Sequence, residues 1–502
     1  MMLASPAASP FARSALELRF VPALPFTPTP LAVRGQAVLA VGLAIFAWYV
    51  IVGPLMLAEP DMLWHIETGK RILESHQFPK VDAYSWTMAG APWMAKEWGS
   101  QALYAIALRF GGWIGVVALA SAAVAGALAL VFAELSRRLP LVWSLGLTIA
   151  VALVADYVVV ARPHVLAWPL FVGWTILLLR AAEEARTPPL WSLALMVLWT
   201  NLHGSFLIGL ALLAPFALEA VMRAPERRLA LALRWTLFGA LAVLSTLAHA
   251  YGPGALTSAF SVLDLGEALR HMNEWKQQDF SSLSPFELFV IGGVAAALYS
   301  GLKVPLPRLL LLALLLHMGF AHIRHQSLFA FVTALTLAGP IGERLGPSKI
   351  SRWLEKRLDL AVLTGALLVA AALFNATQSP IYRPAPHPTP EQALSAARAA
   401  GVAGPDGRVF NNYYFGGFLI SQHVPTFIDG RAEFFGAKRI EAYHEGLETT
   451  DPEKMRRFAD DNGFTWTLLK PDDSAVAIFD RLEGWRRLYG DDFAVVHVRK
   501  GG

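Results

Sequence analysis

Up to about residue 376 the chain is a succession of apolar runs, each closed by a short polar turn. A helix that crosses a bilayer needs about 20 mostly apolar residues. Runs of that kind lie near 34–57, 112–135, 141–160, 164–180, 189–201, 204–222, 230–248, 286–302, 306–321, 325–342 and 359–375, those at 189–201 and 306–321 being short. The expected fold is a polytopic all-α membrane bundle of about 11 transmembrane helices. Composition agrees, with 55% hydrophobic and only 16% charged residues, against roughly 25% charged in a soluble globular chain. The net charge of +4 is small and scattered, which argues against a nucleic-acid partner. With no cysteine, disulfides and thiolate metal sites are excluded.

Residues 1–33 are rich in Pro, Ala and Ser and carry Arg13 and Arg19. They could pass for a targeting peptide, but the following run is long enough to span and no small-residue cleavage site follows it. They are read as a disordered cytoplasmic tail. Lysine and arginine in short loops set orientation. One set of loops holds Arg137, Arg138, Arg180, Arg186, Arg223, Arg227, Arg228, Lys303, Arg308, Arg344, Lys349, Arg352, Lys356 and Arg357; the alternate set holds only Arg162, Arg270, Lys276 and Arg324. The first set is expected inside, with the N-terminus cytoplasmic and everything after the last span outside. The transmembrane domain is then 34–376, including a folded outer loop at 58–100, too long for a plain connector. Residues 377–388 form a Pro-rich linker. From 389 to 502 charged residues return and strand-like runs appear at 408–411, 426–429, 465–470 and 493–498, so an extracytoplasmic soluble α/β domain is expected.

Residues outside the cation count converge on the same face. Of thirteen histidines none falls in a predicted cytoplasmic loop. His164, His203, His249, His322 and His325 sit at outer helix ends, on the side of Asp61, His65, Glu97 and Glu274. Asp61 opens a predicted helix that starts at Pro60 and runs to about residue 75, and it shares a face with His65. A carboxylate there could serve as general base toward an acceptor hydroxyl, or as ligand to a divalent cation such as Mg or Mn. It would also be favoured at a helix N-terminus by the dipole alone. Glu97 and Glu274, in Lys96-Glu97-Trp98 and Asn273-Glu274-Trp275, are further candidate catalytic acids. Asp156, inside a span, is an expensive place for a charge. Arg162-Pro163-His164 and His322-Ile323-Arg324-His325 provide cations suited to a phosphate leaving group, although interfacial arginines often only contact headgroups. Asn201 and His203 interrupt two apolar stretches and could line the same cavity. His203, His322 and His325 could also hold zinc, although no ligand spacing demands it. The first outer loop adds Tyr84, Trp86, Trp93 and Trp98, suited either to the headgroup boundary or to stacking on a sugar. In the C-terminal region Tyr413, Tyr414, Gly416, Gly417, Asp429 and Arg431 form an acceptor-side candidate. Paired glycines beside aromatics permit close backbone approach, to a ligand or to a domain core.

These residues resemble the GT-C superfamily of glycosyltransferases, which take sugar from polyprenyl-phosphate or polyprenyl-pyrophosphate carriers. The likeness lies in an acid after the first span, a long folded first outer loop, many spans and an exported C-terminal domain. Asp61–Gly69 with Pro79–Trp98, and the block from Asn411 to Glu433, resemble a poorly characterised bacterial branch. Residues 412–416 are loosely similar to the acceptor-reading motif of the oligosaccharyltransferase catalytic subunit, without its tryptophans and its acid; no DxD motif stands in the second outer loop. The resemblance implies an inverting enzyme in a bacterial inner membrane, acting on its periplasmic side. Asp61 would address a glycan, lipid or protein acceptor, while Arg162, Arg324 and the neighbouring histidines hold the lipid-linked donor. No cofactor is required beyond a divalent cation, if any. A lipid-linked sugar transporter and a non-catalytic glycan-assembly subunit are the alternatives.

Overall fold

The computed structural model describes residues 31–346, 348–379, 382–385, 388–404 and 406–500. Most of the expected N-terminal tail lies outside these residues, and residues 31–33 already belong to the first helix, Leu31–Ile51. Every predicted apolar run is helical. Among the described residues seven helices are long and apolar enough to cross a membrane. They include Leu31–Ile51, Trp98–Leu135, Pro163–Glu183 and Leu358–Gln378. Leu190–Leu202, Pro285–Ser300 and Leu306–Ala321 are apolar but shorter, as is Gln326–Gly342, which contains Pro340. The expected crossings therefore divide into full-length helices and shorter ones packed among them. Local signals explain several ends. Pro163 and Pro285 start their helices in the first turn, and a Ser284–Glu287 capping box precedes Pro285–Ser300. Gly301, at φ 59°, ends that helix in the left-handed region.

The second span begins earlier than the apolar run indicates. Trp98–Leu135 is 38 residues long with a break at Gly112, φ 57°. Its first turns stand outside the apolar run and support the outer helix Asp61–Ser75. The contact is close because Gly69 lacks a side chain: a Cβ there would lie 2.0 Å from the Gln101 carbonyl oxygen. Leu31–Ile51 and Leu358–Gln378 approach equally closely at Gly365, where a Cβ would meet Leu43 Cβ at 3.0 Å, a small-residue contact typical of membrane helices.

At the end of the bundle away from this loop, buried Glu134 and Glu219 and partly exposed Glu183 are tied by arginines. Arg138 reaches Glu134 at 2.9 Å and Glu183 at 2.7 Å, and Arg308 reaches Glu219 at 2.8 Å and Glu183 at 2.9 Å. Several of the arginines that set the expected orientation are thus internal ion-pair partners. Asp156 likewise has a partner, accepting from the Tyr49 hydroxyl at 3.1 Å.

The C-terminal region carries a four-stranded sheet in the order β1-β2-β4-β3, with β1 Val409–Asn411, β2 Trp466–Leu469, β3 Trp485–Gly490 and β4 Val495–Arg499. β1 and β2 are parallel; β4 is antiparallel to both β2 and β3. The run at 426–429 is not a strand of this sheet. It makes one isolated parallel bridge, Ser85 to Thr426, to the first outer loop. That bridge belongs to a wider interlock between loop and domain. Trp86 packs on Phe427 at 5.5 Å and donates to the Val409 carbonyl at 3.2 Å, and Thr87 donates to the Phe427 carbonyl at 2.8 Å. The loop aromatics therefore join protein to protein: Tyr84 and Trp93 meet edge-on, and Trp98 donates to Asn201 at 2.6 Å.

Candidate active site

The outer helix Asp61–Ser75 begins directly beneath the C-terminal domain. Two glycines make this possible. A Cβ at Gly417 would lie 2.2 Å from the Pro60 carbonyl oxygen, and one at Gly430 would lie 1.7 Å from Asp61 Oδ1. The paired-glycine segment thus approaches this chain's own backbone: Gly416 abuts Asp429, and Gly417 abuts the turn that presents Asp61. Asp429 and Arg431 are buried in a cluster of their own. Arg431 donates to Asp429 at 2.7 Å and to Asp82 at 2.6 Å, and its guanidinium lies 4.8 Å from the Trp93 ring centre. Their contacts pin the domain to the outer loop.

Below this junction is a cavity of about 750 Å³. Its polar rim carries Glu59, Asp61, Lys96, Glu97, Arg162, Glu274, Arg324 and Glu433; Trp168, Phe171, Leu207, Ile208 and Leu328 line its wall within the bundle. Of the candidates, Asp61, His65, Glu97, Arg162, His164, His203, Glu274, His322, Arg324, His325, Tyr413, Tyr414 and Arg431 all line it. Asn201 does not. It accepts from Trp98 and donates to the Ala248 carbonyl at 2.9 Å, bracing helix ends.

The rim is organised around Arg162. Its guanidinium donates to Asp61 at 2.7 Å and to Glu274 at 2.6 Å, with Glu59 at 3.7 Å. Glu274 also accepts from Arg324 at 3.0 Å, and Arg324 lies over the Trp275 ring at 4.5 Å. Burial pushes the Asp61 carboxyl up to about 7 even against Arg162. Against the same burial, Arg162 and Arg324 together pull the Glu274 carboxyl down to about 2. Two acids on one guanidinium are thereby held in different protonation ranges. Glu274 is a fixed anion, while Asp61 can exchange a proton near neutrality, which suits a general base.

Glu97 forms a second centre. Burial raises its carboxyl to about 7, with Lys96 opposing only in part. The Ser205 amide donates to His203 Nδ1 at 3.1 Å, so a neutral His203 carries its proton on Nε2, which faces Glu97 at 3.4 Å. Gln101 donates to His65 Nδ1 at 3.2 Å, and His65 Nε2 stands 3.9 Å from Glu97. Burial holds both imidazoles well below their ordinary range. His164 contacts the Val158 carbonyl at 2.7 Å and His322 the Trp275 carbonyl at 2.8 Å. His325 Nδ1 is buried without a hydrogen-bond partner, an open position for a ligand. His203, His322 and His325 do not converge: among the described residues the one group of three His and acidic side chains close enough to share an ion lies elsewhere.

Glu59, Lys96 and Glu433 were not among the sequence candidates. Each stands beside a residue that was, and Lys96 pairs with Glu433 across 337 residues of chain, a contact no local pattern signals. Tyr414 accepts from Asn273 at 2.6 Å, so the aromatic pair of the C-terminal domain is joined to the loop that carries Glu274.

The chain is thus a membrane bundle with a folded first outer loop, capped by an α/β domain over a cavity at the helix ends. No protein-family model matches the chain, and no curated protein is significantly similar to it in sequence. Solved structures do share its fold. The oligosaccharyltransferase of Archaeoglobus fulgidus in its apo form aligns with a TM-score of 0.50 and 12% identity, over 87% of this chain and 69% of that one. The oligosaccharyltransferase AglB from the same organism, in complex with an inhibitory peptide and a dolichol-phosphate, aligns with a TM-score of 0.52 and 10% identity, over 88% and 69%. ArnT from Cupriavidus metallidurans, bound to undecaprenyl phosphate, aligns over 93% of this chain and 98% of that one at 14% identity, with a TM-score of 0.47. For the two oligosaccharyltransferase structures, at these identities, the likeness is one of fold.

Proposed function

We propose that this protein transfers a sugar from a polyprenyl-linked phosphate or pyrophosphate to an acceptor hydroxyl or amide, in a cavity open to the extracytoplasmic side of a bacterial inner membrane. The observation that carries the reading is the shared guanidinium: Arg162 holds Asp61 and Glu274 at one cavity rim. Asp61 takes the acceptor proton as the acceptor attacks the sugar's anomeric carbon. The bond from that carbon to phosphate breaks on the opposite face, so the configuration inverts, and the phosphate leaves as an anion without a general acid. Arg324 is the better donor anchor of the two arginines, because Arg162 is already shared by three carboxylates whereas Arg324 serves one. The apolar wall of the cavity suits a prenyl chain. The structure of AglB, which is similar in fold, is of a complex with a dolichol-phosphate, and this supports the reading.

A divalent cation fits poorly between the acids. Glu59, Asp61 and Glu274 could ligate Mg or Mn, but their carboxylates turn to Arg162, and an ion would have to displace a guanidinium. In this reading Arg162 supplies the positive charge there.

The test is turnover by the purified chain in proteoliposomes, with a synthetic prenyl-phosphate or prenyl-pyrophosphate sugar and a mixed panel of acceptors. Cleavage of the sugar–phosphate bond with transfer supports an enzyme. Movement of intact donor between leaflets, without cleavage, would make the protein a transporter instead.

A further inference from the structure

The group of His and acidic residues that does converge lies outside the transfer cavity's charged rim. His271 closes the outer-loop segment Ser261–His271, and His444 and Glu448 lie one turn apart on the helix Ala437–Glu448 of the C-terminal domain. One ligand atom from each of the three lies within 4.8 Å of the others. The two imidazoles stack with ring centres 3.7 Å apart and planes 11° from parallel, and His444 Nδ1 is 3.6 Å from Glu448 Oε1. All three line a second cavity of about 280 Å³, which adjoins the larger one at His271, Tyr413 and Tyr414 and whose other walls include Asn412, Lys470 and Asp473.

We propose that His271, His444 and Glu448 bind one borderline divalent ion, zinc above others, that ties the outer loop to the C-terminal domain. Two imidazole nitrogens and a carboxylate oxygen form a donor set suited to zinc, with a fourth position left for water. Ligand atoms around tetrahedral zinc stand about 3.4 Å apart, given metal–ligand distances of about 2.0–2.1 Å. An ion must lie in the plane of every imidazole that binds it, so closing the set takes rotation of Glu448, which is exposed, and a swing of the stacked rings about their Cβ–Cγ bonds. Arg270 Nε approaches His271 Nε2 at 3.4 Å, a long contact that an ion bound at that nitrogen would replace. The loop continues directly into Asn273, Glu274 and Trp275. A bound ion would hold the segment that delivers Glu274 to Arg162, as a structural tie separate from the transfer chemistry.

The experiment uses the untagged full chain in detergent, stripped of metal with a chelator and titrated with Co²⁺, whose visible absorption reports four-coordinate N/O ligation. One Co²⁺ should bind per chain and be displaced by Zn²⁺. His271→Ala and Glu448→Gln, compared as monodisperse proteins, should each weaken binding at least about tenfold, the scale on which even outer hydrogen-bond partners affect metal affinity. No saturable Co²⁺ spectrum in the wild type, or a spectrum and affinity unchanged in both variants, would overturn the assignment.

Discussion

Arg162 donates to Asp61 across 2.7 Å, joining the junction of two spans to the first turn of the outer helix. The same guanidinium holds Glu274, so it fixes the position of one carboxylate against the charge of another. A planar fork can serve two acids at once, whereas a lysine ammonium is a point charge. Arg162→Lys should keep the protein folded but misplace Asp61, lowering kcat on the order of 100-fold, as misplacements of about 1 Å do. Wild-type transfer should need no added Mg²⁺ or Mn²⁺. Loss of activity with chelator, restored by Mg²⁺ or Mn²⁺, would place a metal where Arg162 is assigned the charge.

The pH dependence follows from the raised carboxyls. A base must be ionised to act, and burial raises Asp61 and Glu97 to about 7. Transfer should therefore fall as pH drops through about 7 and level off above it. Glu274, held near 2, should contribute no limb in the working range. Measured kcat/KM between pH 5.5 and 9 should lose this acid limb, along with most of the rate, in the variant of whichever carboxylate is the base.

Arg324→Ala tests the donor anchor. It removes a charged contact to phosphate, worth about 1.5–3 kcal/mol, so donor KM should rise roughly tenfold or more while the protein stays inserted and monodisperse. Unchanged donor kinetics would return Arg324 to a role in holding Glu274.

Much of this architecture is legible without coordinates because lipid imposes a long, simple pattern. The apolar runs, the outer helix from Asp61 and the gathering of histidines on one face all follow from it. Features that depend on contacts between distant segments are not legible. The early start of Trp98–Leu135 is masked by Gln101, Arg109 and the Gly111–Gly112 pair, which interrupt the apolar run. β3 carries the polar sequence Trp485-Arg486-Arg487-Leu488-Tyr489-Gly490 on an exposed edge, while the 426–429 run bends after Thr426 and meets the outer loop through a single bridge instead. Gly417 reads as a place of close backbone approach, but that its neighbour is Pro60, and that Gly430 abuts Asp61, emerges only when the outer helix is placed against them. The pairing of Arg162 with Glu274 spans 112 residues, and nothing in either neighbourhood specifies it.

Gly430→Ala probes that docking. Its Cβ would collide with Asp61 Oδ1, and either the carboxylate or the whole domain must move. Transfer should fall on the order of 100-fold while membrane insertion and donor binding survive. Normal turnover would mean that Asp61 is free to act from another position.

The central assignment is Asp61 as the base, and Asp61→Asn tests it most directly because it keeps size and polarity while removing the charge. Single-turnover transfer from a prenyl-linked sugar should fall by roughly 100-fold or more, within the range for loss of a general base, with donor affinity nearly intact. Glu97→Gln and Glu274→Gln measured alongside should separate a second proton acceptor from an arginine anchor. Wild-type single-turnover rates in Asp61→Asn would contradict the assignment.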